Sequence, residues 1–463
     1  MNRVLIVCLF SSLLWNQPCA GQVQENYFGL HQNKYKKGEP WPTVPFGIRR
    51  TVSDLVKWSD LETCPGGPDP GNPCYHWGKN PTGGDLDKIV KDSNDHGVEV
   101  MFTIYNVPRW ASSRPDDTEC GGRKSPRLQV LGSCDPPSDV DAVAGSGEGD
   151  GSDKTFKDFV TAAAVRYRGK IHYWEMWNEA PNIRFANPNY WTFKQWARMT
   201  KDFHDAVRSA DPDAVILAAN TCKCPPPGSA KFRPWTESYF SALDKYGPSL
   251  VDGVTYHGYR LRPEEDKDLV EDLRQMMDQH SSTRGKPIYD TEDAWPGHDR
   301  LQKGDGTPDW DAQSAWLARS IILNAAEGVK AYILFGWDLK PKSKLWDYDK
   351  RDGCTTPNTD GKEGYLCPTA LVYEQFHAWL LGAVFDKSCT TTNRDGGNVW
   401  TCDFSKNNGA YHGRFLWYDG VGSTSYNPDR PYTTARDLDG NSLPLKAKNS
   451  ISVGNKPILL EMK

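Results

Sequence analysis

Between residues 27 and 381, short apolar runs alternate with longer segments in which apolar residues recur every three or four positions. The runs fall at 28–31, 44–50, 98–105, 171–179, 214–220, 252–259, 287–292 and 331–338. Polar or Gly/Pro segments bound them, as expected of strands buried on both faces of a parallel sheet. The helical period is clearest at 154–168, 190–210, 264–280, 311–327 and 369–381, with Asp153, Asn189 and Thr369 placed to cap or open a first turn. The link between the first two runs carries no such period. Eight strands, most followed by a helix, predict an α/β fold, a (β/α)8 TIM barrel, over residues 22–382.

After residue 381 the helical period stops. Alternating stretches at 398–404, 411–418 and 458–461 are separated by the turn signals Asp395-Gly-Gly397, Asn408-Gly409 and Asp439-Gly-Asn441. They predict a small all-β, sandwich-like domain over 383–463. The segments 111–152 and 340–368 are expected to be loops over the rim of strands three and eight, where loop shape selects the substrate.

A length of 463 residues suits a barrel of roughly 250 residues or more plus a small domain. The net charge of −5 and the absence of a long basic run argue against nucleic acid or an anionic membrane as partner. Residues 1–21, with Arg3, an apolar run over 4–15 and then Cys19-Ala20-Gly21, read as a secretory signal peptide. That run is too short to cross a bilayer, and no later segment is long and apolar enough to do so. A soluble, secreted monomer is expected. Without Cys8 and Cys19 the cysteines remain even in number, which suits an oxidising compartment. Local spacing suggests Cys64 with Cys74, Cys120 with Cys134, Cys354 with Cys367 and Cys389 with Cys402, leaving Cys222 and Cys224. A metal site is the rival reading of that last pair, but no second Cys/His pair lies near it.

Two acids end such runs, Glu179 in Trp174-Glu-Met-Trp-Asn-Glu179 and Glu292 in Pro287-Ile-Tyr-Asp-Thr-Glu292. Three (β/α) units of roughly 30 to 40 residues fit between them, so they end strands four and seven and meet where barrel closure gathers the C-terminal strand ends. Such a pair can break a glycosidic bond: one carboxyl gives a proton to the leaving oxygen while the other, ionised, attacks or stabilises the positively charged carbon. Asp293, the rival nucleophile, has the opposite strand parity and is expected to turn away. Glu175 and Asp290 share parity with Glu179 and Glu292 and are expected to point inward as hydrogen-bonded supporting acids. No Gly-x-Ser-x-Gly elbow, His-Glu-x-x-His motif or P-loop occurs, and Gly145-Ser-Gly-Glu-Gly-Asp-Gly151 fails the dinucleotide spacing. No cofactor is implied.

Together with Phe46-Gly-Ile-Arg-Arg50, Pro108-Arg-Trp-Ala-Ser112, Tyr256-His-Gly-Tyr259 and Phe335-Gly-Trp-Asp338, these motifs resemble glycoside hydrolase clan A, most closely its family 39-like members with a C-terminal β-domain. The resemblance implies Glu179 as general acid/base, Glu292 as nucleophile and Asn178 on the sugar 2-hydroxyl. It implies that Arg50 holds Glu292 ionised, with Arg49 competing for the role. His257 and Tyr259 resemble contacts to the nucleophile or the sugar, Trp337 a stacking platform and Trp110 a second one. A catalytic acid has to carry its proton near neutral pH, so Glu179 is expected to be raised, with Trp177 as a candidate apolar wall. The implied activity is retaining cleavage of β-glycosidic bonds in a polysaccharide or oligosaccharide, with carboxylates about 5 to 5.5 Å apart. The alternatives are a noncatalytic carbohydrate-binding barrel and an inverting glycosidase with a wider gap.

Overall fold

The computed structural model describes residues 21–32, 41–52, 54–119, 130–222, 231–260, 262–295, 301–304, 307–338, 344–347, 353–357, 364–445 and 450–462. The expected leader, apart from Gly21, together with Cys120, Cys224 and much of the 340–368 loop, lies outside these residues.

Eight parallel strands form the barrel: β1 (Phe28–Leu30), β2 (Ile48–Arg50), β3 (Glu99–Ile104), β4 (Tyr173–Met176), β5 (Val215–Leu217, continuing at Thr221–Cys222), β6 (Val254–His257), β7 (Ile288–Asp293) and β8 (Tyr332–Leu334). Each pairs with its neighbour in sequence. β8 returns to β1, and β5 joins β6 through Leu217↔Gly253, Thr221↔Tyr256 and Cys222↔His257, so the sheet closes. Helices α2 (Leu86–Asp95), α3 (Lys154–Arg166), α4 (Phe193–Ala210), α5 (Phe232–Leu243), α6 (Glu264–Asp278), α7 (Trp310–Ala326) and α8 (Pro368–Leu380) surround it, after a single turn α1 (Trp58–Leu61). In α4 a Thr192/Gln195 capping box starts the helix, and Trp196, Met199, Phe203 and Val207 form its buried stripe.

Helices α2 and α5 are not among those expected from the periodicity. Only Leu86, Ile89 and Val90 mark the apolar face of α2, and Pro234 sits in the first turn of α5, where a proline is tolerated but masks the pattern.

The barrel floor is filled by Ile48, Met101, Tyr173, Leu217, Tyr289 and Ile333, which come from six different strands and so can meet only inside. Gly253 is needed there, because a Cβ at that position would stand 2.5 Å from the Tyr289 ring. Above the floor, alternation turns Arg50, Thr103, Glu175 and Thr291 inward, and the interior changes from apolar to polar toward the rim.

The chain after α8 forms an antiparallel sheet centred on Gly397–Lys406, Tyr411–Tyr418 and Ile458–Met462. Alternation along Tyr411–Tyr418 splits its faces. Phe415 and Trp417 pack with Phe376 and Leu380 of α8, whereas Leu416 and Tyr418 pack beneath the small sheet Thr424–Tyr426/Ile451–Val453. One face thus braces the barrel and the other closes a sandwich. Disulfides join Cys64–Cys74, Cys354–Cys367 and Cys389–Cys402; Cys134 and Cys222 are also disulfide-bonded. Among the described residues no helix is long and apolar enough to cross a membrane.

Candidate active site

Glu179 and Glu292 meet at the C-terminal rim. One oxygen of each and one ring nitrogen of His257 all lie within 4.8 Å of one another. His257 Nδ1 is 2.9 Å from Glu179 Oε1, and Nε2 is 3.8 Å from Glu292 Oε2. A carboxylate only accepts, so the proton of the shorter contact lies on Nδ1. Asn182 donates its amide to the other Glu179 oxygen.

Arg50 organises the opposite side. Its Nε donates to Glu175 Oε2 at 2.7 Å, Nη1 to Glu292 Oε2 at 2.9 Å and Nη2 to Asn178 Oδ1 at 2.9 Å. Glu175 is fully buried and also accepts from Thr103 Oγ1 at 2.6 Å and Thr291 Oγ1 at 2.8 Å, while Asn220 donates to that threonine at 2.9 Å. This carboxylate compensates the buried guanidinium and fixes its fork. Arg49 faces outward and pairs with Asp54 at 3.0 Å. Tyr259 completes the ring of donors, with its hydroxyl 2.6 Å from Glu292 Oε1. Burial, then the Glu292 charge, holds this phenol well above its ordinary value, so it remains a donor.

Two expectations need correction. Glu179 is not raised. Burial pushes its carboxyl up, but the hydrogen bond and charge of His257, then Asn182 and the Arg50 charge, outweigh burial and hold it below the ordinary range. Trp177 does not wall it, because its backbone is left-handed at φ 60° and its ring packs on Trp191 and Trp196 at 5.3 and 5.4 Å. Asp290 also departs from simple parity. The β7–β8 register slips between Asp290 and Asp293, so Tyr289 and Thr291 face inward and Asp290 faces the helices. The bulge returns Glu292 to the pocket and leaves Asp293 on Ser320 of α7, as its expected turn away requires.

The cluster therefore gathers Glu179, Glu292, Asn178, Arg50, His257 and Tyr259. Trp337 is 2% exposed and stacked on Trp346, and Trp110 donates its indole N–H to the Glu62 carbonyl at 3.3 Å. Thr103, Asn182, Asn220 and Thr291 are site-supporting residues that sequence reasoning missed, since isolated neutral polar residues carry no signal of their own. Glu179, His257 and Glu292 are also ligand types for a metal. An ion would have to displace the His257 contact to Glu179 and share Glu292 with the Arg50 cation, so the arrangement suits proton chemistry better.

No protein-family model matches the chain, and no curated protein matches its sequence. Solved structures do match its fold. A glucosidase from Croceicoccus marinus is 14% identical with a TM-score of 0.53, covering 96% of each chain. An α-L-arabinofuranosidase from Thermotoga maritima is 12% identical with a TM-score of 0.54, covering 96% of this chain and 98% of that one. A GH39 β-xylosidase from Caulobacter crescentus is 13% identical with a TM-score of 0.51, again covering 96% and 98%. At such identities the likeness establishes the fold, a TIM barrel carrying a C-terminal β-domain.

Proposed function

We propose that this protein is a retaining β-glycosidase in which Glu292 is the nucleophile and Glu179 the general acid/base. The observation that carries the reading is the meeting of these two carboxylates at one rim, with oxygens within 4.8 Å across His257. Oxygens this close suit the narrow pair of a retaining enzyme better than the roughly 6.5–9.5 Å between carboxyl groups with which an inverting enzyme seats a water. The solved structures that share the fold include a glucosidase, an arabinofuranosidase and a xylosidase, which supports a carbohydrate substrate.

In the first step Glu292, held in place by hydrogen bonds from Arg50 and Tyr259, attacks the anomeric carbon and forms a glycosyl ester while the leaving oxygen takes a proton from Glu179. Asn178 spends its carbonyl oxygen on Arg50, so its amide N–H groups remain for the sugar 2-hydroxyl. His257 Nδ1 orients the Glu179 carboxyl, and Glu179 takes from solvent the proton that it gives to the leaving oxygen. In the second step Glu179 draws a proton from water, which cleaves the ester. Trp110 is the proposed sugar platform, whereas Trp337, buried and stacked on Trp346, offers no open face for a sugar.

The boundary near residue 382, a signal over 1–21 and a monomeric state belong to the same proposal. The disulfides Cys64–Cys74, Cys354–Cys367 and Cys389–Cys402 support an oxidising, extracellular destination. The deciding experiment treats the full chain with a panel of 2-deoxy-2-fluoro-β-glycosides bearing good leaving groups, followed by peptide mapping. Label on Glu292 is expected. Label on Asp293 would move the nucleophile, and turnover that releases sugar of inverted configuration without any label would replace retention by inversion.

A further inference from the structure

Double displacement leaves one buried acid beside the nucleophile without a task. Asp293 is fully buried, and its Oδ1 accepts the backbone N–H of Tyr259 at 2.7 Å and of Ala294 at 2.8 Å. Its Oδ2 lies 2.8 Å from Ser320 Oγ. Tyr259 stands in the left-handed region at φ 43°, which a bulky side chain adopts only when its surroundings hold it there. The N–H that Asp293 captures belongs to that residue, and the hydroxyl of the same residue rests on Glu292 Oε1.

We infer that Asp293 is a positioning residue that sets Glu292 through Tyr259, by pinning the Tyr259 backbone so that its phenol meets the nucleophile. The inference rests on reading Glu292 as the nucleophile. Proton counting supports the direction of the brace. Ser320 Oγ lies 2.8 Å from both Asp293 Oδ2 and Asp266 Oδ2, yet a hydroxyl has one hydrogen. One of the two carboxyls has to donate. Burial, then the Asp293 charge, pushes Asp266 well above the ordinary range, whereas Asp293 reaches about 6 through burial against the pull of Ser320 and the Tyr259 N–H. Asp266 is thus the donor to Ser320, and Ser320 donates to an ionised Asp293. The relay runs from α6 through α7 to the rim and leaves Asp293 as a charged acceptor for Tyr259.

The test is a double-mutant cycle on the full chain with an aryl β-glycoside that it turns over, melting temperature being followed in parallel. Tyr259→Phe and Asp293→Ala are each expected to lower kcat about 10- to 100-fold with a smaller change in KM, and the double variant to fall within about threefold of Tyr259→Phe alone. Asp293→Asn keeps an oxygen for both N–H groups and is expected to recover most of the loss. If Asp293→Ala does not fold, Ser320→Ala takes its place in the cycle, with the same coupling expected. Full additivity of the two losses would overturn the inference, as would an unchanged kcat in Tyr259→Phe enzyme that is still labelled at Glu292. Label at another residue would instead remove the nucleophile assignment on which the inference rests.

Discussion

His257 Nδ1 lies 2.9 Å from Glu179 Oε1, and this contact accounts for the low pKa of the proposed acid. Burial alone would raise Glu179; among the influences that oppose burial, the hydrogen bond and charge of His257 come first. Replacing His257 by Ala leaves burial dominant, so Glu179 keeps its proton to higher pH. The basic limb of the kcat/KM profile is expected to move upward, while the optimum rate falls about 10-fold or more from lost orientation. A basic limb that stays in place would show that His257 does not set the acid.

Arg50 holds Glu175, Glu292 and Asn178 at once, whereas Arg49 holds Asp54 on the outer side of the same strand. Arg50→Met removes the hydrogen bonds that hold Glu292 and Asn178 in place, so kcat is expected to fall about 100- to 1000-fold. It also leaves Glu175 buried without its cation, at a cost of about 3–5 kcal/mol of stability. Arg49→Met should lose stability through Asp54 but leave kcat largely unchanged. The paired kcat values and melting curves separate the two arginines, and a loss of kcat in Arg49→Met alone would reverse their roles.

The strands and the two acids are legible in the sequence because a strand buried on both faces is an unbroken apolar run, and an acid that ends one is conspicuous. Side-chain direction at the rim is less legible. Strict alternation puts Asp290 beside Glu292, yet a one-residue slip between Asp290 and Asp293 reverses that, and nothing in 287–293 marks the bulge. Trp177 fails for a related reason: its left-handed backbone turns an indole that looks adjacent to Glu179 onto Trp191 and Trp196. Thr103 and Asn220 were hidden because their contribution lies in hydrogen bonds to Glu175 and Thr291, which only the closed barrel brings within reach.

The Asp290 that alternation misplaces gives the last prediction. It is fully buried, accepts the Gly258 N–H at 3.2 Å with Oδ1, and its Oδ2 has no hydrogen-bond partner. Burial, then the charge of Asp293, raises it well above the ordinary range. The folded protein therefore keeps a proton that the unfolded chain releases near pH ~4, so the stability due to this group is full below that value and is lost as pH rises toward the folded pKa. Asp290→Asn keeps the shape and an oxygen for Gly258 but cannot titrate. It should melt close to wild type near pH ~4 and about 1–3 °C above it near pH ~8, where wild type pays the penalty of protonating or burying this acid. Parallel melting curves across that range would sink the assignment, because they would mean that Asp290 releases its proton at the same pH in both states.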